Sequence, residues 1–133
     1  MKILLLTQWF DPEPTFKGLL FAQALRDEGH EVEVLTGFPN YPGGKVYEGY
    51  KISVYQKDII DGITIHRAPL YPSHDSSAMK RVLNYLSFAV GTFIIGLLKT
   101  KNIDVIYSYH PPLTTSLSAF LLGLFKRITF VID

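Results

Sequence analysis

Apolar residues in this chain fall into short unbroken runs that alternate with longer segments of helical spacing. Lys2 to Thr7 is nearly all apolar and bounded by turn residues, the pattern of a parallel strand covered on both faces. The prolines of Asp11-Pro12-Glu13-Pro14-Thr15 make a loop, and a helix is predicted from about Phe16 to Glu28 with Thr15 as N-cap. Gly18, Phe21, Ala22 and Leu25 share one face of it, Gln23, Arg26 and Asp27 face outward, and Gly29 supplies the stop. Glu31 to Thr36 is a second strand, completing a β-α-β unit whose strands run parallel. Gly37 to Gly49, with Pro39, Asn40, Pro42, Gly43 and Gly44, is a long loop of the kind that carries function. Alternation between Lys51 and Arg67 predicts strands joined by a tight Asp61-Gly62 turn. An apolar stretch from Met79 to Leu98 follows, then a strand at Asp104–Ser108, a helix at Thr114–Phe125 and a buried-type strand at Ile128–Ile132.

That order predicts an α/β fold, a Rossmann-like, doubly wound and mostly parallel sheet. The 133 residues suit one domain. The last strand, with no helix after it, is expected to mark a truncated domain. Hydrophobic residues make up 47% and charged residues 19% of the chain, enough apolar surface to exclude disorder. A net charge of +1 argues against nucleic acid as a partner. The absence of cysteine removes disulfides and thiolate metal sites and fits a cytoplasmic location. The N-terminal apolar run is too short for a signal peptide and lacks a cleavage site.

In such sheets the working site lies at the carboxyl ends of the strands, where strand order reverses. That rule selects the loops after Thr7 and Thr36, the Tyr109-His110-Pro111-Pro112 turn, and whatever follows Asp133. Neither Gly-x-Gly-x-x-Gly nor a Walker A motif is present, which disfavours a free-standing dehydrogenase or a small flavodoxin-like protein. His110 falls in the cleft by this rule, or else is a turn histidine bonded to its own backbone. Glu13 falls in the loop after the first strand, where the helix dipole favours an acid in any case. His30, His66 and His74 show no metal-ligand spacing, and no metal or cofactor is expected.

Met1–Thr7, the aromatic-Asp-Pro-Glu loop, Lys17-Gly18 and Gly29-His30-Glu31-Val32-Glu33-Val34-Leu35-Thr36 resemble the opening of family-4 retaining glycosyltransferases of GT-B type. Thr36-Gly37-Phe38-Pro39-Asn40-Tyr41-Pro42, with Val46-Tyr47-Glu48-Gly49-Tyr50, is similar to the branch acting on lipid-linked precursors of bacterial surface polysaccharides, including lipopolysaccharide. The resemblance implies that residues 1–133 form the N-terminal, acceptor-side domain, and that a C-terminal domain holding the nucleotide-sugar is absent. It implies donor-phosphate binding at Lys17 and Gly18, where many relatives carry two glycines. It further implies acceptor contacts at Glu13, Phe38, Asn40, Tyr41 and His110, with Phe38, Tyr41, Tyr47 and Tyr50 stacking on sugars or merely packing the loop. Asp133 falls where relatives carry a catalytic histidine or an Asp-rich segment. The alternative is a non-catalytic membrane-associated sugar- or lipid-binding domain or a gene remnant.

The 17 residues between Arg81 and Lys99 carry no charge, just short of a spanning helix. Lys80, Asn84, Ser87 and Gly91 form a polar or small stripe along it. The stretch is either a helix covering the sheet or one resting in the membrane interface, with Lys80, Arg81, Lys99 and Lys101 near lipid headgroups. Leu121-Leu122-Gly123-Leu124-Phe125-Lys126-Arg127 has the same apolar-then-basic character. The expected location is peripheral, on the inner face of the cytoplasmic membrane.

Overall fold

The computed structural model describes residues 1–13, 15, 17–40, 45–72, 78–109 and 113–132, with the backbone alone for Leu113. The elements run β1 (Lys2–Leu6), α1 (Leu19–Asp27), β2 (Glu31–Thr36), β3 (Gln56–Ile60), β4 (Ile63–Arg67), α2 (Ala78–Lys99), β5 (Val105–Ser108), α3 (Leu113–Lys126) and β6 (Thr129–Ile132). They form one six-stranded sheet of order β3-β4-β2-β1-β5-β6, in which only the β3–β4 pair is antiparallel. The doubly wound α/β expectation holds.

Strand alternation sends side chains to two cores. Leu4, Leu6, Leu35, Ala68 and Ile106 meet Phe88, Ile95, Ala119 and Leu122 of α2 and α3. On the other face Leu5, Val32, Val34, Ile63 and Ile65 pack with Phe10 and with Ala22 of α1. Gly91 lets α2 approach the Pro69 carbonyl and Gly96 makes room for Leu122, so a side chain at either position would clash. Gly29 takes φ 95 at the end of α1, and Asp61 and Gly62 take φ 51 and 76 in the hairpin turn, where two positive values match the twist of the strands.

One predicted feature is corrected. The first helix begins at Leu19, with Gly18 as its N-cap residue and no side-chain cap from it. Thr15 is therefore not the cap: the Leu19 N–H donates instead to Asp11 Oδ1 at 2.9 Å, from eight residues upstream. Within the residues described, β6 lies at the edge of the sheet, and Val131 and Ile132 are exposed.

A polar chain crosses the α2–α3 face from β1 to β4. Lys2 Nζ lies 2.9 Å from Glu33 Oε2, Glu33 Oε1 lies 2.6 Å from His66 Nε2, and His66 Nδ1 lies 2.7 Å from the Tyr55 hydroxyl. An ionised carboxylate only accepts, so Nε2 carries a proton, and in the neutral ring Nδ1 accepts from Tyr55. The hydrogen bond from His66 holds the Glu33 carboxyl at about 2, below its ordinary 4.5, against burial that pushes it up; the Lys2 ammonium adds to the lowering.

Because the folded value is depressed, the Glu33 contribution to stability is complete above the unfolded value and is lost as pH falls through about 2. Thermal unfolding of the wild type and Glu33→Gln, followed from pH 7 down to pH 2, should show a constant gap above pH 5 that narrows below it. A gap independent of pH would show that the ion pairing carries no stability.

Candidate functional site

Strand order reverses between β1 and β5, and the carboxyl ends of β1, β2, β4 and β5 lie along the same edge of the sheet. These ends carry the loops that build the site, and Arg67, the last residue of β4, holds two of them. Its parity places it beside Ile63 and Ile65 on the α1 face, and it is fully buried. Nε donates to Asp58 Oδ2 at 2.6 Å, Nη1 to the Gly37 carbonyl at 2.8 Å and Nη2 to the Asp11 carbonyl at 3.1 Å. The guanidinium also lies 5.1 Å from the centre of the Tyr50 ring, within cation–π range. The loops after β1 and β2 are thus fixed to β4 by one planar fork.

Glu13, Phe38 and Asn40, predicted as acceptor contacts, are brought together. The Glu13 carboxylate is buried and accepts from the Phe10 N–H at 3.3 Å and the Asn40 N–H at 2.9 Å. Asn40 Nδ2 donates to the Phe38 carbonyl at 2.8 Å. The Tyr47 N–H donates to the Pro39 carbonyl at 2.9 Å. Burial and then the nearby Glu13 charge push the Tyr47 hydroxyl upward. Phe38 is fully enclosed and presents no ring face; in this conformation it packs the loop, and among the described residues of that loop the rings that reach the surface are Tyr47 and Tyr50.

Lys17 and Gly18 stand at the start of α1. Lys17 Nζ donates to the Tyr107 hydroxyl at 2.7 Å and lies 5.1, 5.2 and 5.6 Å from the ring centres of Phe21, Tyr107 and Tyr109. An aromatic box therefore holds the ammonium over the end of β5. Gly18 is buried against Asp11 Oδ1 and Thr15, leaving no room for a Cβ. The Asp11 carboxylate occupies the helix N-terminus, the position an anion favours. Tyr41, His110 and Asp133 lie outside the described residues. Among the described residues, no group of three His, Asp or Glu side chains is arranged to hold a metal ion.

Buried amides close the opposite wall. Gln8 Nε2 donates to Asn84 Oδ1 at 2.7 Å, Asn84 Nδ2 to the Tyr71 carbonyl at 2.6 Å, and the Thr36 hydroxyl to the Gln8 carbonyl at 3.3 Å. Gln8 Oε1 and the Ser108 hydroxyl are buried without a hydrogen-bond partner. They sit just past β1 and at the end of β5, where strand order reverses, and give the site unsatisfied polar capacity. Sequence reasoning missed Asp11, Arg67, Gln8 and Asn84. Arg67 carried a signal: period two puts it on the same face as Ile63 and Ile65, a charge pointing inward.

Removing the fork should be costly. Arg67→Ala leaves Asp58 and two loop carbonyls without their partner, and breaking a buried pair this way costs about 3–5 kcal/mol. Urea unfolding should show that loss, and Arg67→Lys should recover only part of it, since one ammonium cannot span three acceptors in a plane. A loss under 1 kcal/mol in Arg67→Ala would mean the loops hold themselves.

No family model matches the chain. Over 96 residues, 70% of its length, it is 38% identical to WcaI of Escherichia coli (strain K12), provisionally named a colanic acid biosynthesis glycosyl transferase. The match spans only 23% of that relative. Among solved structures the chain is similar to sucrose-phosphate synthase from Thermosynechococcus elongatus, with a TM-score of 0.52 and 9% identity, covering 99% of this chain and 32% of that one. It is also similar to the C-terminal domain of a hydrogenase from Pyrococcus furiosus, with a TM-score of 0.51 and 15% identity, covering 99% and 89%. At such identities the likeness is one of fold: a Rossmann-like α/β domain.

Proposed function

We propose that this chain is the acceptor-side part of a glycosyltransferase that moves a sugar from a nucleotide-sugar to a lipid-linked saccharide in surface polysaccharide biosynthesis. The 38% identity to WcaI over 70% of the chain carries this reading. The geometry supports it in kind: a polar, aromatic-rimmed edge at the strand-order reversal suits a polyhydroxylated ligand. Glu13, Asn40 and Phe38 would shape the acceptor loop from within, while Tyr47 and Tyr50 offer ring faces to a sugar. Tyr41 and His110 would join them as acceptor contacts. Lys17 and the α1 N-terminus would meet the donor phosphates, with Asp11 as the carboxylate that a phosphate must displace. Family resemblance makes the transfer a retaining one.

Trp9 is the sole tryptophan and follows β1 into the site, so its emission reports occupancy. Titration with a farnesyl-diphosphate-linked monosaccharide should change that emission saturably, and Tyr47→Ala should weaken the binding about tenfold, or about 1.4 kcal/mol. UDP should bind separately, and Lys17→Met should weaken it by a similar factor through loss of a charge-assisted contact. Saturable binding of both, with sugar transfer from a panel of nucleotide-sugars, is the expected result. Binding without turnover by the complete gene product would favour the non-catalytic alternative and overturn the transferase. No saturable binding by either ligand would overturn the site itself.

A further inference from the structure

The two helical layers of the sheet differ in what they show to solvent. On the α1 layer Asp27 and Glu28 are exposed, Gln23 and Arg26 lean on Asp61 of the hairpin turn, and Leu20 is the one large apolar residue of the helix that is exposed. On the other layer α2 is reversed. Its polar and small residues turn inward: Asn84 bonds Gln8 and the Tyr71 carbonyl, Ser87 Oγ accepts the Tyr71 N–H, and Thr92 bonds Ser118. Its outward stripe of Met79, Val82, Leu86, Val90, Ile94 and Leu98 is between 47% and 74% exposed. At 1.5 Å per residue that stripe is about 30 Å long. Beside it α3 exposes Leu117, Phe120, Leu124 and Phe125. Apolar surface this continuous marks an interaction site.

Charge identifies the occupant. From Ala78 to Ile132 the sequence holds Lys80, Arg81, Lys99, Lys101, Lys126 and Arg127, and a single acid, Asp104. That acid is engaged by the Lys2 backbone N–H at 2.6 Å. Because α2 runs back from the carboxyl end of β4 to the start of β5, Lys80 and Arg81 stand at the edge that carries the site. Lys99, Lys101, Lys126 and Arg127 stand at the opposite edge, where Lys126 Nζ bonds the Thr100 carbonyl. An apolar sheet of side chains with cations at both ends matches an anionic bilayer, whose acyl region accepts the stripe and whose headgroups accept the rim. A spanning role does not fit. By length and composition α2 qualifies as long and apolar enough to cross a membrane, but Phe88, Gly91, Thr92 and Ile95 are buried against the sheet and α3.

We propose that the α2–α3 layer lies flat on an anionic phospholipid surface. The strands then run along the membrane and the site at their carboxyl ends opens sideways at headgroup level, where a lipid-borne substrate enters without leaving the bilayer. This inference goes beyond the transferase reading, and its test needs no sugar.

The chain has no cysteine, so single labels report orientation. Ile94→Cys carrying an environment-sensitive fluorophore should shift to the blue on vesicles containing 30 mol% phosphatidylglycerol, whereas Gln23→Cys on α1 should not respond. The unlabelled protein should float with those vesicles and far less with pure phosphatidylcholine, the more weakly as salt rises. Lys80→Ala with Arg81→Ala should lower partitioning about 30-fold, at about fivefold per cation. Leu86→Ser with Val90→Ser, both at exposed positions, should abolish flotation while leaving circular dichroism unchanged. Flotation that survives the serine variants, or labels on both layers responding equally, would overturn the proposal. So would a stable dimer, seen by light scattering, that the serine variants dissociate, since a second copy would then cover the face. Sugar transfer to a soluble acceptor is unaffected by any of these outcomes, so the two readings fail separately.

Discussion

Two loops at the edge of this sheet depend on one buried guanidinium. Past Thr7 and Thr36 the described residues of the segments after β1 and β2 belong to no strand, and the carbonyls of Asp11 and Gly37 point into the interior, where an unmet acceptor is costly. Arg67 meets both and takes its counter-charge from Asp58 on the adjacent hairpin strand. Three donors in a plane also fix the loops relative to one another, so Glu13 can reach the Asn40 N–H across a gap of 27 residues. The shape of the candidate site is therefore set from beneath by a residue that does not line it.

The Glu33–His66–Tyr55 chain does for the opposite face what Arg67 does for this one. It ties β1, β2, β4 and the segment before β3 through charged and neutral hydrogen bonds at 2.6 to 2.9 Å. The groups are polar beside a hydrophobic cluster of Leu, Ile, Phe and Ala. Each is satisfied by the next, and the Lys2 end keeps the carboxylate charged. Both faces of the sheet thus carry one polar clamp, and each clamp uses a residue of β4, His66 on one side and Arg67 on the other.

Local pattern made the elements legible. The β1 run, the Asp61-Gly62 turn and the Gly29 stop are each decided by residues within a few positions, and the structure has them where the sequence places them. What depends on distant partners was not legible. The start of α1 moved because its cap is Asp11, reached through a folded-back loop, and not the adjacent Thr15. The partnership of Glu33 with His66 requires β2 to lie beside β4, which is strand order and not strand pattern. Of the site, the Glu13–Asn40 neighbourhood followed from the rule about strand ends, whereas the burial of Phe38 followed only from how its loop folds back.

The helix α2 shows why periodicity alone does not orient a helix. Its sequence has a polar stripe and an apolar stripe, and the usual rule sends the polar one to water. Here the polar stripe is inward because groups of the right kind wait for it: a Gln8 amide, the Tyr71 backbone, a Ser118 hydroxyl, and a Pro69 carbonyl that tolerates only glycine nearby. With those contacts made, the apolar stripe has nowhere to go but out. A helix facing water would pay for that arrangement along its whole length, since each exposed Val or Leu forgoes about 1.5–3 kcal/mol of burial. The cost vanishes if the outer surroundings are themselves apolar. The same inward hydrogen bonds that make the layer part of the fold are what leave its outer face suited to lipid.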